Sequence, residues 1–190
     1  MKVAEHQTGF NMKYLVTALN RIVSEKPLKL KLGKQDLKKM GLIKVGKKIY
    51  TFEEFSKTKD LKVGGDLYLS YTKITSLPKG LKVGRDLVLY YTKITSLPEG
   101  LKVGGGLYLR NTKITSLPEG LKVGGDLHLY NTNITSLPED LEVGGYLDLS
   151  HTNITSLPED LKVGRYIYVD DINKIKCSDR LKKLLTKSLI

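Results

Sequence analysis

A repeat solenoid of the α/β class is the fold this sequence predicts, with short strands stacked in parallel between a small helical N-terminal lobe and a C-terminal cap helix. Three observations predict it. From Leu61 onward a twenty-residue phrase recurs in phase five times, from LKVGGDLYLSYTKITSLPKG to LEVGGYLDLSHTNITSLPED, before decaying in LKVGRYIYVDDINKIK. Within each phrase apolar and polar residues alternate over a few positions, which is the period of a strand and not of a helix. The segments on either side carry apolar residues at helical spacing instead.

Residues 1–60 read as a basic, partly helical lobe or cap. Met12, Leu15, Val16, Leu19, Ile22 and Val23 keep a helical period after Asn11, predicting an amphipathic helix over 12–25 that Pro27 ends. A second short helix is expected from Lys34 to Met40, stopped by Gly41. IKVGKKIYTF then reads as a strand or a degenerate half-repeat, and Thr51 with Glu54 forms a capping-box pattern for one more helical turn.

Residues 61–175 form the solenoid. Leu67 and Leu69 alternate with Asp66, Tyr68 and Ser70, as in a strand buried on one face, while Leu61, Val63, Thr72, Ile74 and Leu77 also recur on fixed phases. One unit cannot bury these groups alone. Units stacked about 4.8 Å apart can pair their strands in parallel and share a continuous apolar column. Gly64, usually followed by Gly65, and Pro78 suit the tight arcs that return the chain, and a strand plus two arcs leaves no room for helical crossovers. The sixth unit loses the proline phrase beyond Ile172, as a terminal repeat that closes the column should. In residues 176–190, Ser178 stands as an N-cap and Leu181, Leu184, Leu185 and Leu189 share one helical face, predicting a cap helix.

Composition narrows the function. The chain has 190 residues, 32 Lys and Arg, 20 Asp and Glu and a net charge of +12, and no apolar run approaches the roughly 18 residues of a membrane span. The excess sits at the ends: +8 in residues 1–60, zero in 61–170 and +4 in 171–190. Glu5, His6, Gln7 and Thr8 interrupt any apolar signal core, so export by that route is not expected and the cytoplasm is the expected location. A single cysteine, Cys177, excludes an internal disulfide and a Cys-rich zinc cluster, and His6, His128 and His151 lack metal-ligand spacing. The Gly pairs follow the repeat phase and lack a phosphate-reaching lysine, and no Ser/His/Asp set can be assembled. The expectation is therefore a protein without catalytic residues, metal or cofactor.

The repeats resemble the short leucine-rich repeats of bacterial type III effectors, in which an LTSLP phrase recurs at a similar spacing. They are more similar still to the near-identical repeats with VGGDLYL and TKITSLPEGL in bacteriophage and gut-bacterial proteins. The resemblance covers about residues 61–175. It implies a curved leucine-rich-repeat solenoid with parallel strands on the concave side and a mostly non-helical convex side. One departure is that the buried Asn usual in the family is Thr72, Thr92, Thr112, Thr132 and Thr152 here. A hydroxyl can also satisfy turn backbone, so these threonines read as a structural ladder.

If the repeat is a rigid scaffold, function resides where the units differ. Nine of the eleven tyrosines fall on the variable strand-face rows and none in the apolar column. A partner-binding surface is thus expected from Tyr68, Tyr71, Tyr90, Tyr91, Tyr108, Arg110, His128, Tyr130, Tyr146, Asp148 and His151, since Tyr contributes large amphipathic area at low entropy cost. Tyrosine ladders also stabilise sheets without any partner, by roughly 0.2 to 1 kcal/mol per cross-strand pair. The strand face offers roughly 400 Å² against about 800 Å² per partner in a standard interface, so the basic lobe is the natural extension. The expected function is non-catalytic binding of an acidic or mixed-charge protein, and the resemblance narrows it to a phage-encoded inhibitor of a host defence enzyme, acting in the host cytoplasm. The alternative is nucleic-acid binding through phosphate contacts by Lys29, Lys31, Lys34, Lys38, Lys39, Lys44, Lys47 and Lys48.

Overall fold

The computed structural model describes residues 12–25 and 34–187. The chain divides into two compact units, Met1–Phe55 and Ser56–Ile190.

In the first unit, helix α1 (Met12–Glu25) and helix α2 (Lys34–Lys39) accompany an antiparallel hairpin of Leu42–Val45 and Lys48–Thr51. Val16 and Leu19 of α1 and Leu37 of α2 bury their side chains with Leu42 and Ile49 of the hairpin in one apolar cluster. The Asn20 amide extends the hairpin edge: its Nδ2 donates to the Ile49 carbonyl at 2.9 Å and its Oδ1 accepts from the Ile49 N–H at 2.6 Å. Gly41 leaves α2 at φ +70°. IKVGKKIYTF is a hairpin and not a degenerate half-repeat. Its Gly46-Lys47 turn has positive φ at Gly46 alone, the pattern of a type II′ turn, which directs the chain straight back. The capping box forms as expected: Glu54 N–H donates to Thr51 Oγ1 at 3.1 Å, Thr51 N–H donates to Glu54 Oε2 at 3.0 Å, and helix α3 (Phe52–Lys57) begins there. Pro27, Lys29, Lys31, Asn11 and Leu189 lie outside the described residues.

The second unit is a parallel-sheet solenoid. Each coil contributes two strands of two or three residues, so the stack builds two sheets where one was expected. One has six strands, from Lys62–Val63 to Lys162–Val163; the other has seven, from Leu67–Tyr68 through Ile167–Val169 to Leu185–Lys187. Every pairing is parallel and the five pairings between full coils in each sheet shift by twenty residues, as Leu107↔Leu127 and Val103↔Val123 show. The bend between the two strands falls at Gly64 and Gly65, so that in sequence the first strand looks like part of an arc.

Inside, the leucine phases of 67, 69, 77 and 81, the Ile74 phase and most of the Val63 phase stack in buried columns. Burying one such side chain contributes about 1.5 to 3 kcal/mol, and no unit could bury them alone. The threonine ladder is buried among them except at its last member, Thr152, which is half-buried. Thr72, Thr92, Thr112, Thr132 and Thr152 each donate Oγ1–H to the carbonyl of the leucine three residues earlier, at 2.6 to 2.9 Å. After each proline a tight turn restarts the coil, with Leu81 N–H donating to the Pro78 carbonyl at 3.2 Å. Gly80, Gly100 and Gly120 take positive φ there, as does Asp60 at +50° in the same slot one coil earlier, whereas Asp140 and Asp160 do not.

The C-terminal cap is not a long helix. A four-residue turn, α4 (Asp179–Lys182), leads into Leu185–Lys187, which pairs in parallel with Ile167–Val169. The backbone of the last coil needs hydrogen-bond partners that a helix face does not offer, and the added strand supplies them. Arg180 fixes the crossing by donating to the carbonyls of Glu159 and Leu161 at 2.7 and 3.0 Å. No helix among the described residues is long and apolar enough to cross a membrane.

The closest approach between coils is at the Gly64 phase. A Cβ on Gly84, Gly104, Gly124, Gly144 or Gly164 would press into the carbonyl of the glycine one coil earlier, whereas a Cβ on Gly64 would meet nothing within 4 Å. Gly104→Ala should therefore destabilise the solenoid by about 1 to 3 kcal/mol, and Gly64→Ala should change it by no more than about 0.5 kcal/mol. Thermal melting of the two variants beside the native chain checks this; equal melting temperatures would mean that the coils are not packed backbone to backbone.

Candidate binding face

Between positions 65 and 71 of each unit, alternate side chains leave the seven-stranded sheet outward and fall into rows across the coils. In the row of Tyr68, Val88, Tyr108, His128, Asp148 and Tyr168, neighbours are register partners. Tyr68 stands out into solvent, Val88 is buried, and Tyr108, His128 and Asp148 are half-buried. In the next row Tyr90 and Tyr130 are half-buried and Arg110 is exposed, while the small Ser70 and Ser150 are covered by their surroundings and present no surface, contrary to expectation.

These side chains are organised as a strip of aromatic groups, each linked internally by ring contacts. The Tyr108 ring stacks on the His128 imidazole with centroids 4.9 Å apart and 19° between planes, and the Tyr90 ring meets Tyr108 edge-on at 5.9 Å. Arg110 lies over Tyr130 at 4.3 Å, and Tyr130 leans on His151 at 4.8 Å. Farther along, Tyr146 contacts Tyr166 and Tyr168, and Arg165 lies over its ring at 5.1 Å while donating to its hydroxyl at 3.1 Å. All eleven residues expected to bind a partner thus lie on or beside this strip. Tyr71 and Tyr91 form its margin, stacked on each other at 4.9 Å.

Gly106 shapes the centre of the strip. The Tyr108 ring folds back over it, and a Cβ there would fall within 2.6 Å of the ring. In the other units this slot holds Asp66, Asp86, Asp126, Tyr146 or Tyr166. Those aspartates are not free charges: Asp66, Asp86 and Asp126 accept the backbone N–H one coil later at 3.1, 2.8 and 2.8 Å. Gly106 and Arg165 were not recognisable as parts of the site from sequence, because a glycine in a strand-face row offers no side chain and the phase of Arg165 is a turn glycine in four of the six units.

Two carboxylates are tied to imidazoles. His128 Nδ1 lies 3.7 Å from Asp148 Oδ2, and His151 Nδ1 lies 3.2 Å from Asp170 Oδ1. Asp170 also accepts the His151 backbone N–H at 2.9 Å, where earlier coils use a main-chain carbonyl. Burial pushes the Asp148 carboxyl upward, but its bonds from His128 and Ser150 outweigh that and hold it below the ordinary carboxylate value. Burial raises the phenols of Tyr90 and Tyr108, and the Asp66 charge raises that of Tyr68, so all three remain neutral donors.

Of the lysines expected to contact phosphate, Lys34, Lys38 and Lys39 belong to α2, and Lys44, Lys47 and Lys48 are exposed on the hairpin, with the Lys48 ammonium 4.8 Å from the centre of the Tyr50 ring. Cys177 is half-buried and its thiol is pushed up by burial. Among the described residues no group of three or more His, Cys, Asp or Glu side chains could hold a metal. No family model, curated protein or solved structure matches the chain.

Because Asp148 titrates lower in the fold than in the unfolded chain, its contribution to stability is present above the unfolded value of about 4 and is lost as pH falls below that. Asp148→Asn should melt lower than the native chain near pH 6, and the difference should shrink on acidification. A gap independent of pH would remove the charge from this account.

Proposed function

We propose that the chain is a leucine-rich-repeat protein-binding module that uses the tyrosine-rich face of its seven-stranded sheet as the contact surface. The observation that carries this reading is that the aromatic side chains outside the core line one face in successive contacting groups while the acidic groups among them are engaged within the protein. Aspartates 66, 86 and 126 bind backbone, and aspartates 148 and 170 bind imidazole. A partner laid on this face meets rings and hydroxyls whose rotamers neighbouring rings already restrict, and it loses little entropy in ordering them. Tyr108 is central, half-buried and held from three sides, the setting in which interface hot spots occur.

Charge along the solenoid sets the expected chemistry of the partner. Repeats 61–120 contain nine basic and four acidic side chains, and repeats 121–160 contain one and seven. A partner of mixed charge is thereby oriented end to end, its acidic part over the early repeats. The lysines of the first unit provide a separate basic surface. The resemblance of the repeats to phage proteins extends the reading to inhibition of a host defence enzyme in the host cytoplasm.

Affinity capture with the full chain, identification of the bound protein by mass spectrometry and calorimetry with that protein purified test the reading. Tyr108→Ala should weaken binding by about 2 kcal/mol or more, and Tyr90→Ala with Tyr130→Ala should add to the loss. Unchanged affinity in the triple variant would reject the face.

A further inference from the structure

One column of the solenoid carries backbone strain that the fold does not require. Tyr71, Tyr91, Asn111, Asn131 and His151 occupy the same slot in successive units, and all five take left-handed φ values of 51 to 59°. Asn enters that region readily. A bulky aromatic residue does so at a cost of roughly 1 to 2 kcal/mol. The chain uses Asn at 111 and 131, so the position tolerates the easier residue, and the tyrosines at 71 and 91 answer to something other than folding.

What surrounds them points to a ligand. The two rings stack nearly parallel, 13° apart, and 73% of Tyr71 and 49% of Tyr91 remain accessible. Two residues farther on, Lys73, Lys93 and Lys113 are exposed in a column of their own, with no carboxylate within 4 Å among the described residues. The two features end one unit apart: the third unit pairs Asn111 with Lys113, the fourth holds Asn131 and Asn133, and the fifth His151 and Asn153. Exposed stacked rings followed two residues on by a column of exposed lysines supply the pairing that single-stranded nucleic acid uses, bases on rings and phosphates on ammonium groups. An acidic polypeptide would be served by the lysines alone and would leave the strained tyrosines unexplained.

We infer that the Tyr71–Tyr91 stack with Lys73, Lys93 and Lys113 forms a site for single-stranded nucleic acid, separate from the hairpin lysines and taking over the two tyrosines at the margin of the neighbouring face. The test is fluorescence anisotropy of the full chain with a labelled single-stranded DNA of about 12 nucleotides. Three phosphate contacts give a log–log salt slope of about −2, so affinity should fall about 15-fold between about 50 and about 200 mM salt. Tyr71→Asn with Tyr91→Asn keeps a residue suited to the left-handed slot and should weaken binding roughly tenfold. Lys73→Gln with Lys93→Gln and Lys113→Gln should flatten the salt slope, a readout that does not depend on the tyrosine variant folding. Lys44→Gln with Lys47→Gln and Lys48→Gln should bind as the native chain does. The inference is overturned by absence of binding at the lower salt, by native affinity in both site variants, or by loss of binding in the hairpin variant alone. It is equally overturned if a duplex of the same length binds as tightly, or if polyglutamate competes as well as unlabelled DNA, which would assign the column to an acidic protein.

Discussion

At the glycine that ends the first strand of each coil, the main chains of neighbouring coils touch. Gly84, Gly104, Gly124, Gly144 and Gly164 each lie against the carbonyl of the glycine one coil earlier, with their own N–H groups bonded to the preceding valine carbonyls at 2.7 to 2.9 Å. A side chain at this point would wedge the coils apart and lengthen every hydrogen bond in both sheets. The absence of a Cβ therefore sets the pitch, and the pitch places leucine on leucine and threonine on threonine down the interior. The buried hydroxyls follow from it as well: once the coil bends after Leu69, its carbonyl points inward and accepts the Thr72 hydroxyl, joined at Leu89, Leu109 and Leu149 by the N–H of the same threonine.

The same pitch organises the outside. Outward residues of one phase become neighbours at strand spacing, so a change in one unit is felt in the units beside it. Tyr108 lies flat because residue 106 is a glycine, and it then offers its ring to His128 in the next coil, which in turn faces Asp148 in the one after. The face is less a set of independent side chains than a relay of contacts running along the stack. Its acidic members are occupied within that relay, which leaves rings and hydroxyls as the chemistry presented to a partner.

The repeat phase, the buried columns, the threonine ladder and the capping box at Thr51 and Glu54 were legible in the sequence, because each depends on residues close together or on strict recurrence. Three features were not. The second sheet was hidden because Lys62 and Val63 make a strand of only two residues, too short for an alternation to register. The C-terminal leucines fit a helical face as well as they fit a turn followed by a strand, and the choice was made by the unpaired backbone of Ile167–Val169, which is a tertiary demand. Within the candidate face, the roles of Gly106 and of Ser70 and Ser150 depended on the size of neighbouring side chains in other coils. The left-handed column at 71, 91, 111, 131 and 151 was hinted at only by the Asn and His in it, while the tyrosines concealed it.

The strand Leu185–Lys187 has a meaning beyond covering an edge. An interior that reads alike every twenty positions gives the growing fold no way to tell the third winding from the fourth, and a winding could be skipped, looped out and the rest assembled at almost no penalty. Only the unlike ends break that degeneracy. By docking in one place, on Ile167–Val169, the tail acts as a full stop, so that the chain arrives at a fixed number of windings and a fixed order of tyrosines along them.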